Sequence, residues 1–242
     1  MGNIKDKTLP FIPSYLRNSP LDIFNRTAKT PILLPTKCKN DRIRYVQILD
    51  NELGIIYTGF AAAVRADHPI SSIVGIYYFE IDILDGGELN LTGIGVASGS
   101  FILYRQQPGL HHRSIGYHGR NGFIYFGGDR GNQYGPLYST GDTIGCCLNY
   151  YDQTIFYTKN GINLGVASTR VFRERLYPVI GIGTRGARIE ANFGAKPFKF
   201  DIDFYARSIL AKVMKQKIII TNDYSSETED SDEDVCCLRV LD

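Results

Sequence analysis

Residues 154–161 read TIFYTKNG, and this short stretch decides the class of fold. Ile155 and Tyr157 alternate with their neighbours, so in an extended chain they lie on one face of a strand. Asn160 and Gly161 follow directly, and both residue types tolerate positive φ. The pattern predicts a β-strand that ends in a tight hairpin turn.

The same alternation recurs upstream, at residues 78–83. Phe79 and Ile81 fall on one face of the extended chain, and Glu80 and Asp82 fall on the other. Comparable patterns predict nine strands: Ile55–Thr58, Gly75–Leu84, Leu91–Ala97, Ser114–Tyr117, Phe123–Phe126, Thr143–Asn149, Thr154–Lys159, Tyr177–Ile182 and Arg188–Phe193. Strands at this spacing without helices between them indicate an all-β, antiparallel two-sheet sandwich.

Three segments flank the predicted β-domain, which covers residues 36–203. Residues 1–35 hold five of the ten prolines and indicate an extended N-terminal arm. Residues 204–220 form a predicted C-terminal helix, because apolar residues recur there at helical spacing. Residues 221–242 include six acidic side chains between 225 and 234, which predicts a disordered tail.

The formal net charge of +2 conceals an uneven distribution. Residues 225–242 carry seven acidic side chains and one arginine, which leaves 26 basic and 18 acidic residues in the rest of the chain. The basic residues form no long run, so a solvated surface is a better interpretation than a phosphate-binding stripe. Neither nucleic acid nor a membrane is an expected partner.

The five cysteines are Cys38, Cys146, Cys147, Cys236 and Cys237. An odd number with two adjacent pairs is a poor disulfide framework, whereas reduced thiols suit the cytosol or the nucleus. The first ten residues, MGNIKDKTLP, lack the apolar stretch of a signal peptide. We therefore expect a cytoplasmic or nuclear protein.

Motifs for catalysis, metal binding or cofactor binding are weak. The four histidines, His68, His111, His112 and His118, have no metal-ligand spacing. Residues 181–186 match G-x-G-x-x-G, but a dinucleotide site needs a helix next, and residues 187–193 alternate as a strand. No catalytic residue, metal or cofactor is predicted. A hydrolase that uses the loop histidines remains the alternative from another functional class.

The acidic tail contains two serines in a pattern suited to acidophilic kinases. Ser226 and Ser231 are each followed by an acidic residue three positions later, Glu229 and Asp234. Phosphorylation of Ser226 and Ser231 would deepen the negative charge of the tail. A purely solvating tail is the competing interpretation.

Several segments, taken in order, resemble one family. They are VRADHPI (64–70), GIYYFEI (75–81), GIG (93–95), GYHG (116–119), YGP (134–136), GDTIGCCLN (141–149), FYTKNG (156–161) and ANFG (191–194). Their order and spacing resemble the SPRY domain of the RanBPM-like proteins, which are scaffold subunits of GID/CTLH ubiquitin ligases. The resemblance covers roughly residues 30–205.

The resemblance implies a bent two-sheet β-sandwich whose edge loops bind a short peptide of a partner protein. Carried over by position, the peptide-binding residues are Thr58, Gly59, Phe60, Asn90, Tyr104, Arg105, Thr184, Arg185 and Gly186. The implied function is a non-catalytic adaptor, with ubiquitin-ligase subunits or substrates as candidate partners.

Two departures from the family pattern bear on that function. Cys38 and Leu110 stand where RanBPM-like domains usually carry tryptophan, a residue that often supplies much of the binding energy. The family's scaffolds also continue into LisH, CTLH and CRA helical modules, whereas this sequence ends after one helix and an acidic tail. A decoy or truncated paralogue that binds partners without assembling a ligase is therefore the rival within the same class.

Overall fold

The computed structural model describes residues 33–34, 46–48, 54–57, 62–71, 75–172 and 174–226. The chain divides into two compact units, residues 1–203 and 204–242. All fourteen described strands belong to the first unit, and helix α1 (Ile202–Ser226) supplies the described part of the second. In the described part of the chain, no helix has both the length and the apolar character that a membrane crossing requires.

The strands form two antiparallel seven-stranded sheets. Sheet A has the order β1-β4-β13-β6-β7-β8-β9, and sheet B has the order β12-β11-β10-β5-β14-β3-β2. The strands are β1 (Leu33–Leu34), β2 (Val46–Ile48), β3 (Gly54–Tyr57), β4 (Ala62–Ala66), β5 (Ile76–Asp85), β6 (Thr92–Ser98), β7 (Ser114–His118), β8 (Phe123–Phe126), β9 (Asn132–Gln133), β10 (Thr143–Asn149), β11 (Thr154–Lys159), β12 (Ile162–Ser168), β13 (Leu176–Ile182) and β14 (Arg188–Asn192).

Alternation along the strands builds one core between the sheets. Ile94 and Ile180 of sheet A and Phe79, Ile81 and Ile144 of sheet B belong to a single buried cluster. Burying the apolar face of each strand in this way is the main driving force for folding. The predicted all-β, two-sheet sandwich is confirmed.

The hairpin predicted from residues 154–161 is present. Asn160 and Gly161 have φ values of 51° and 83°, and Lys159 pairs with Ile162 across the turn. The strand that follows, β12, lies at the edge of sheet B and has register irregularities opposite β11. A bulged edge strand is poorly suited to pairing with another chain.

The structure differs from the predicted element boundaries in several places. Leu33–Leu34, within the predicted arm, is a strand that pairs with β4. Helix α1 starts at Ile202 and continues to Ser226, six residues beyond the predicted helical segment. Strands β2, β4, β9 and β12 were not predicted. Alanine-rich Ala62–Ala66 and the glycine inside Ile162–Ser168 weaken the alternating pattern of β4 and β12, and β2 and β9 are only three and two residues long.

Two irregular segments cover the outer faces of the sheets. Residues 99–110, here called the A strap, cross sheet A, where Phe101 packs with Ala63, Ala97 and Val179 in a cluster separate from the main core. Residues 193–200, here called the B strap, cross sheet B.

The B strap is bound by a buried carboxylate on β5. Both carboxylate oxygens of Glu80 lie 3.0 Å from the Lys199 amide nitrogen, and Oε1 also accepts from the Phe200 amide at 3.1 Å. Tyr78 donates its hydroxyl to Glu80 at 2.8 Å, and its ring contacts Phe198 at a centroid distance of 5.0 Å. Burial raises the pKa of Glu80, although the hydrogen bonds it accepts partly oppose that shift.

Candidate functional site

One end of sheet A brings together three loops that are far apart in sequence. Ile182, at the end of β13, pairs with Ala62 on one side and with Thr92 on the other. Ala62 in turn forms a bridge with Tyr104 of the A strap. Neighbouring strands lie about 4.8 Å apart, so Tyr104 and the end of β13 are separated by roughly 10 Å. The loops that carry Asn90, Tyr104 and Arg185 therefore share one rim.

Hydrogen bonds at Leu91 join the first and third of these loops. The Gly183 amide donates to the Leu91 carbonyl at 2.7 Å, and the Leu91 amide donates to Thr184 Oγ1 at 3.1 Å. The Ala187 amide closes the third loop by donating to the Thr184 carbonyl. Residues 86–91 and 183–187 are thus fixed to each other by one main-chain hydrogen bond and one to the Thr184 hydroxyl.

The A strap joins the same junction through Gln107, which is 8% exposed. Gln107 Nε2 donates to the Leu91 carbonyl at 3.1 Å. Its side chain lies over Gly93, Gly181 and Gly183. A Cβ atom added to Gly93 or Gly181 would lie 2.9 Å or 2.5 Å from Gln107 Oε1, and one added to Gly183 would lie 3.0 Å from Nε2. These glycines are needed because the strap approaches the sheet so closely.

His118 on β7 holds the next residue of the A strap. Its Nε2 donates to the Pro108 carbonyl at 2.8 Å, and its ring contacts the Tyr125 ring at a centroid distance of 4.6 Å. Burial lowers the pKa of His118, while the hydrogen bond to Pro108 opposes that shift. A neutral imidazole that donates through Nε2 suits this position.

The rim presents apolar and cationic side chains to solvent. Leu89 is 55% exposed, and Arg105 and Arg185 are exposed as well. The Arg105 guanidinium lies 5.3 Å from the centroid of the Tyr104 ring. Gly186 adopts a φ of 80° with open space where a side chain would project, so its backbone is accessible. A shallow surface of this kind suits an extended peptide better than a small molecule.

The predicted site residues have different roles. Tyr104, Arg105, Arg185 and Gly186 lie on the rim, in the three loops that the structure brings together. Thr184 is only 5% exposed and its hydroxyl accepts from Leu91, so its side chain shapes the loop from inside.

Of the remaining predicted residues, Asn90 anchors its loop, and the others lie at the end of the described residues or outside them. Asn90 has a φ of 48° and donates Nδ2 to the Tyr138 carbonyl, which anchors its loop. Thr58, Gly59 and Phe60 lie outside the described residues. Ser226 is the last residue of α1, and Ser231 lies beyond the described part of the chain.

The histidines and the glycine motif have structural explanations. The rings of His111 and His112 contact each other at 5.3 Å, and His118 binds the strap. Residues 181–186 are followed by strand β14, as the sequence predicted, and Gly181 and Gly183 lie under Gln107. Over the residues that the structure describes, no group of three or more histidine, cysteine, aspartate or glutamate side chains could hold a metal ion.

Comparison with protein families identifies the fold. The family model described as "SPRY domain" matches residues 76–196, from the start of β5 to the B strap. The chain belongs to the SPRY domain family. This match confirms the family predicted from the sequence motifs.

Ran-binding proteins are among the relatives of this SPRY domain. It is 42% identical over 182 residues to Ran-binding protein 9 of Homo sapiens and 41% identical over 182 residues to Ran-binding protein 9 of Danio rerio. Each alignment covers 73% of this chain, but only 25% and 30% of the two relatives. The chain therefore spans less than a third of the length of these relatives. Its identity to them agrees with the predicted RanBPM-like resemblance.

Solved structures show the same architecture. A crystal structure of a human SPRY domain superimposes with a TM-score of 0.56 at 25% identity. The match covers 63% of this chain and 98% of that one.

The sequence placed Leu89 and Gln107 in edge loops of this SPRY domain but did not single out either residue. His118 was considered only as a candidate for catalysis or metal binding. The cluster of glycines at 93, 181 and 183 is the signal that could have suggested a close approach by another segment, but it does not say which segment approaches.

Proposed function

We propose that this SPRY domain is a non-catalytic adaptor that holds a short extended segment of a partner protein on the rim of sheet A. The observation that carries the proposal is the convergence of three loops at Leu91, Thr184 and Gln107. Loops fixed by partly buried hydrogen bonds form a preorganised surface, which lowers the entropic cost of binding.

The chemistry of the rim favours a particular kind of peptide. Tyr104 and Leu89 offer apolar contact area, whereas Arg105 and Arg185 attract carboxylates or backbone carbonyls. Tyrosine and arginine are also the residue types most often found at the energetic centre of interfaces. We infer that the preferred segment combines an apolar side chain with an acidic residue.

A selected peptide tests the site. Panning a phage-displayed library of random linear peptides on the full chain supplies a probe, whose affinity is then measured by calorimetry. We expect Tyr104→Ala and Arg185→Ala each to weaken binding about tenfold or more, which is about 1.4 kcal/mol.

Matched controls are available elsewhere on the surface. Arg130→Ala removes an exposed arginine, and Tyr151→Ala removes a tyrosine that is 44% exposed; neither residue belongs to the three rim loops. Both control variants should bind the peptide like the wild type. Equal affinities in all five proteins would show that the rim is not the binding site.

The resemblance to ligase scaffolds supports a narrower proposal, that the bound segment belongs to a ubiquitin-ligase subunit or substrate. The rival is a decoy that occupies such a segment without recruiting a ligase. Affinity purification from cells separates the two, because ligase subunits recovered with the wild type and lost with Arg185→Ala support the adaptor. Recovery of a partner without any ligase subunit supports the decoy.

A further inference from the structure

We propose that Gln107 is a positioning residue that couples the three rim loops, so that a partner bound to Tyr104 or Arg185 depends on a side chain that it does not touch. This inference rests on the proposed function. It also makes a prediction about loop dynamics that holds whether or not a peptide binds.

The first argument is connectivity. The Leu91 carbonyl accepts from Gln107 Nε2 at 3.1 Å and from the Gly183 amide at 2.7 Å. A single acceptor in the first loop therefore binds both the A strap and the third loop. Of these two donors, only Gln107 is a side chain, so its donor can be removed without changing the backbone.

The second argument is burial. Gln107 is 8% exposed, although it lies between Tyr104 and Arg105 on one side and exposed Leu110 on the other. Its carboxamide faces the sheet, where Gly93, Gly181 and Gly183 present their Cα atoms. A buried polar side chain in this position fixes the height of the strap above the sheet, and with it the position of Tyr104 three residues earlier.

The third argument is the unsatisfied acceptor. Among the described residues, Gln107 Oε1 has no hydrogen-bond partner, and it is buried. A buried unpaired acceptor is unfavourable, and an apolar residue of the same length would remove it. If Gln107 served only to stabilise the fold, such a replacement would therefore cost little. The donor Nε2 is the part of the side chain that such a replacement would lose.

The main test replaces Gln107 by methionine, which keeps an unbranched chain but removes the donor. We expect amide hydrogen exchange at residues 86–91 and 183–187 to rise roughly tenfold in the full chain, because the loops lose a shared anchor. We also expect the affinity for the phage-selected peptide to fall roughly tenfold. Gln133→Met, at an exposed glutamine on β9, should change neither quantity.

A second variant disturbs the same contact from the sheet side. In Gly181→Ala, the new Cβ would lie 2.5 Å from Gln107 Oε1 and 2.6 Å from Pro108 Cδ, so the strap must move. We expect the same rise in exchange and the same loss of affinity with the Gln107 amide intact. Gly99→Ala is the matched control, because its Cβ would lie 3.4 Å from the Tyr177 ring, an ordinary contact.

The outcomes separate this inference from the proposed function. If amide hydrogen exchange at residues 86–91 and 183–187 matches that of the controls in both Gln107→Met and Gly181→Ala, the proposed coupling of the loops is overturned. Faster exchange with unchanged peptide affinity overturns the positioning role. If Tyr104→Ala and Arg185→Ala leave the peptide affinity unchanged, the proposed function fails, whatever the exchange shows.

Discussion

The A strap and the B strap cover the outer faces of the two sheets, but different chemistry holds them. The A strap lies on Gly93, Gly116 and Gly181 and is bound by the neutral side chains of Gln107 and His118. The B strap lies on aromatic rings and is bound through its amides to the buried carboxyl group of Glu80. The A strap is held by its close approach to the glycines of sheet A, and the B strap is held by one strong hydrogen-bond acceptor, the Glu80 carboxyl group.

This difference matches what each strap carries. The A strap carries Tyr104 and Arg105 on the rim that we propose binds a peptide, and we propose that close contact with the sheet sets the position of Tyr104. The B strap has no rim residue and connects β14 to α1. We infer that the A strap is built for positional accuracy and the B strap for stability.

The largest effect should follow from removing the Glu80 carboxyl group. Glu80→Ala leaves the partly buried Lys199 and Phe200 amides without their acceptor, whereas the Tyr78 hydroxyl keeps its hydrogen bond with Thr158 Oγ1. We expect a loss of about 3 kcal/mol in the free energy of unfolding. Urea denaturation followed by fluorescence measures the change. Glu88→Ala, at an exposed glutamate, should lie within about 0.5 kcal/mol of the wild type. A loss below 1 kcal/mol for Glu80→Ala would remove the basis for the contrast between the straps.

A somewhat smaller effect is expected from crowding the A strap. In Gly116→Ala the new Cβ would lie 2.2 Å from the Pro108 carbonyl oxygen, a backbone atom that cannot move by itself. We expect a loss of about 2 kcal/mol, in the range typical of overpacked sites. Thermal unfolding by calorimetry tests it, with Gly99→Ala as a control in the same strap. A wild-type melting temperature for Gly116→Ala would show that the strap adjusts freely.

The two straps should respond to pH in opposite directions. The pKa of His118 is lowered by burial, so its contribution to stability is present above pH 6.5, the usual value, and is lost as the pH falls below it. The pKa of Glu80 is raised by burial, so the pH-dependent part of its contribution is greatest below pH 4.5 and is lost as the pH rises through the folded-state value.

Urea denaturation at several pH values between 4 and 8 separates these contributions. We expect His118→Gln to flatten the decline in stability on the acid side of pH 6.5, and Glu80→Gln to leave that decline in place. His112→Gln, at an exposed histidine, is the control. The assignment of the decline to His118 fails if His118→Gln and the wild type have parallel profiles.

The smallest effect concerns the ion pairs at the edge of the B strap. Lys196 Nζ lies 2.8 Å from Asp82 and 3.2 Å from Glu190, but its side chain is 45% exposed. Exposed pairs of this kind contribute little, so Lys196→Ala should cost about 0.5 kcal/mol, with a weaker effect in high salt. A loss as large as that of Glu80→Ala would mean that charge pairing, and not the buried acceptor, holds the B strap.

Sequence reasoning located the regular strands with good accuracy. The bounds predicted for β8, β10 and β11 are those observed, because alternation and the Asn160-Gly161 turn act within a few residues. Strand β4 was missed, since the alanines of Ala62–Ala66 are too small to give a clear apolar face. Its position is fixed by pairing with β13 and β1, which lie far away in the sequence.

The functional loops were predicted less completely. The family resemblance placed Tyr104, Arg105 and Arg185 in the right segments, but Thr184 and Asn90 turned out to anchor loops from inside. Nothing in the residues around Gln107 distinguishes it from Gln106, its half-exposed neighbour. The difference arises because one of the two side chains faces the sheet.

The amino-acid sequence by itself determined the sandwich, its turns and its family, since strand periodicity and turn conformations are properties of short segments. Only the tertiary structure decided that Gln107 lies on glycines 14 and 74 positions away, at 93 and 181, and that Glu80 binds amides 119 and 120 residues further along the chain. Such contacts depend on the register of whole strands. That register is set by how both sheets fill a common core, and no single segment contains that information.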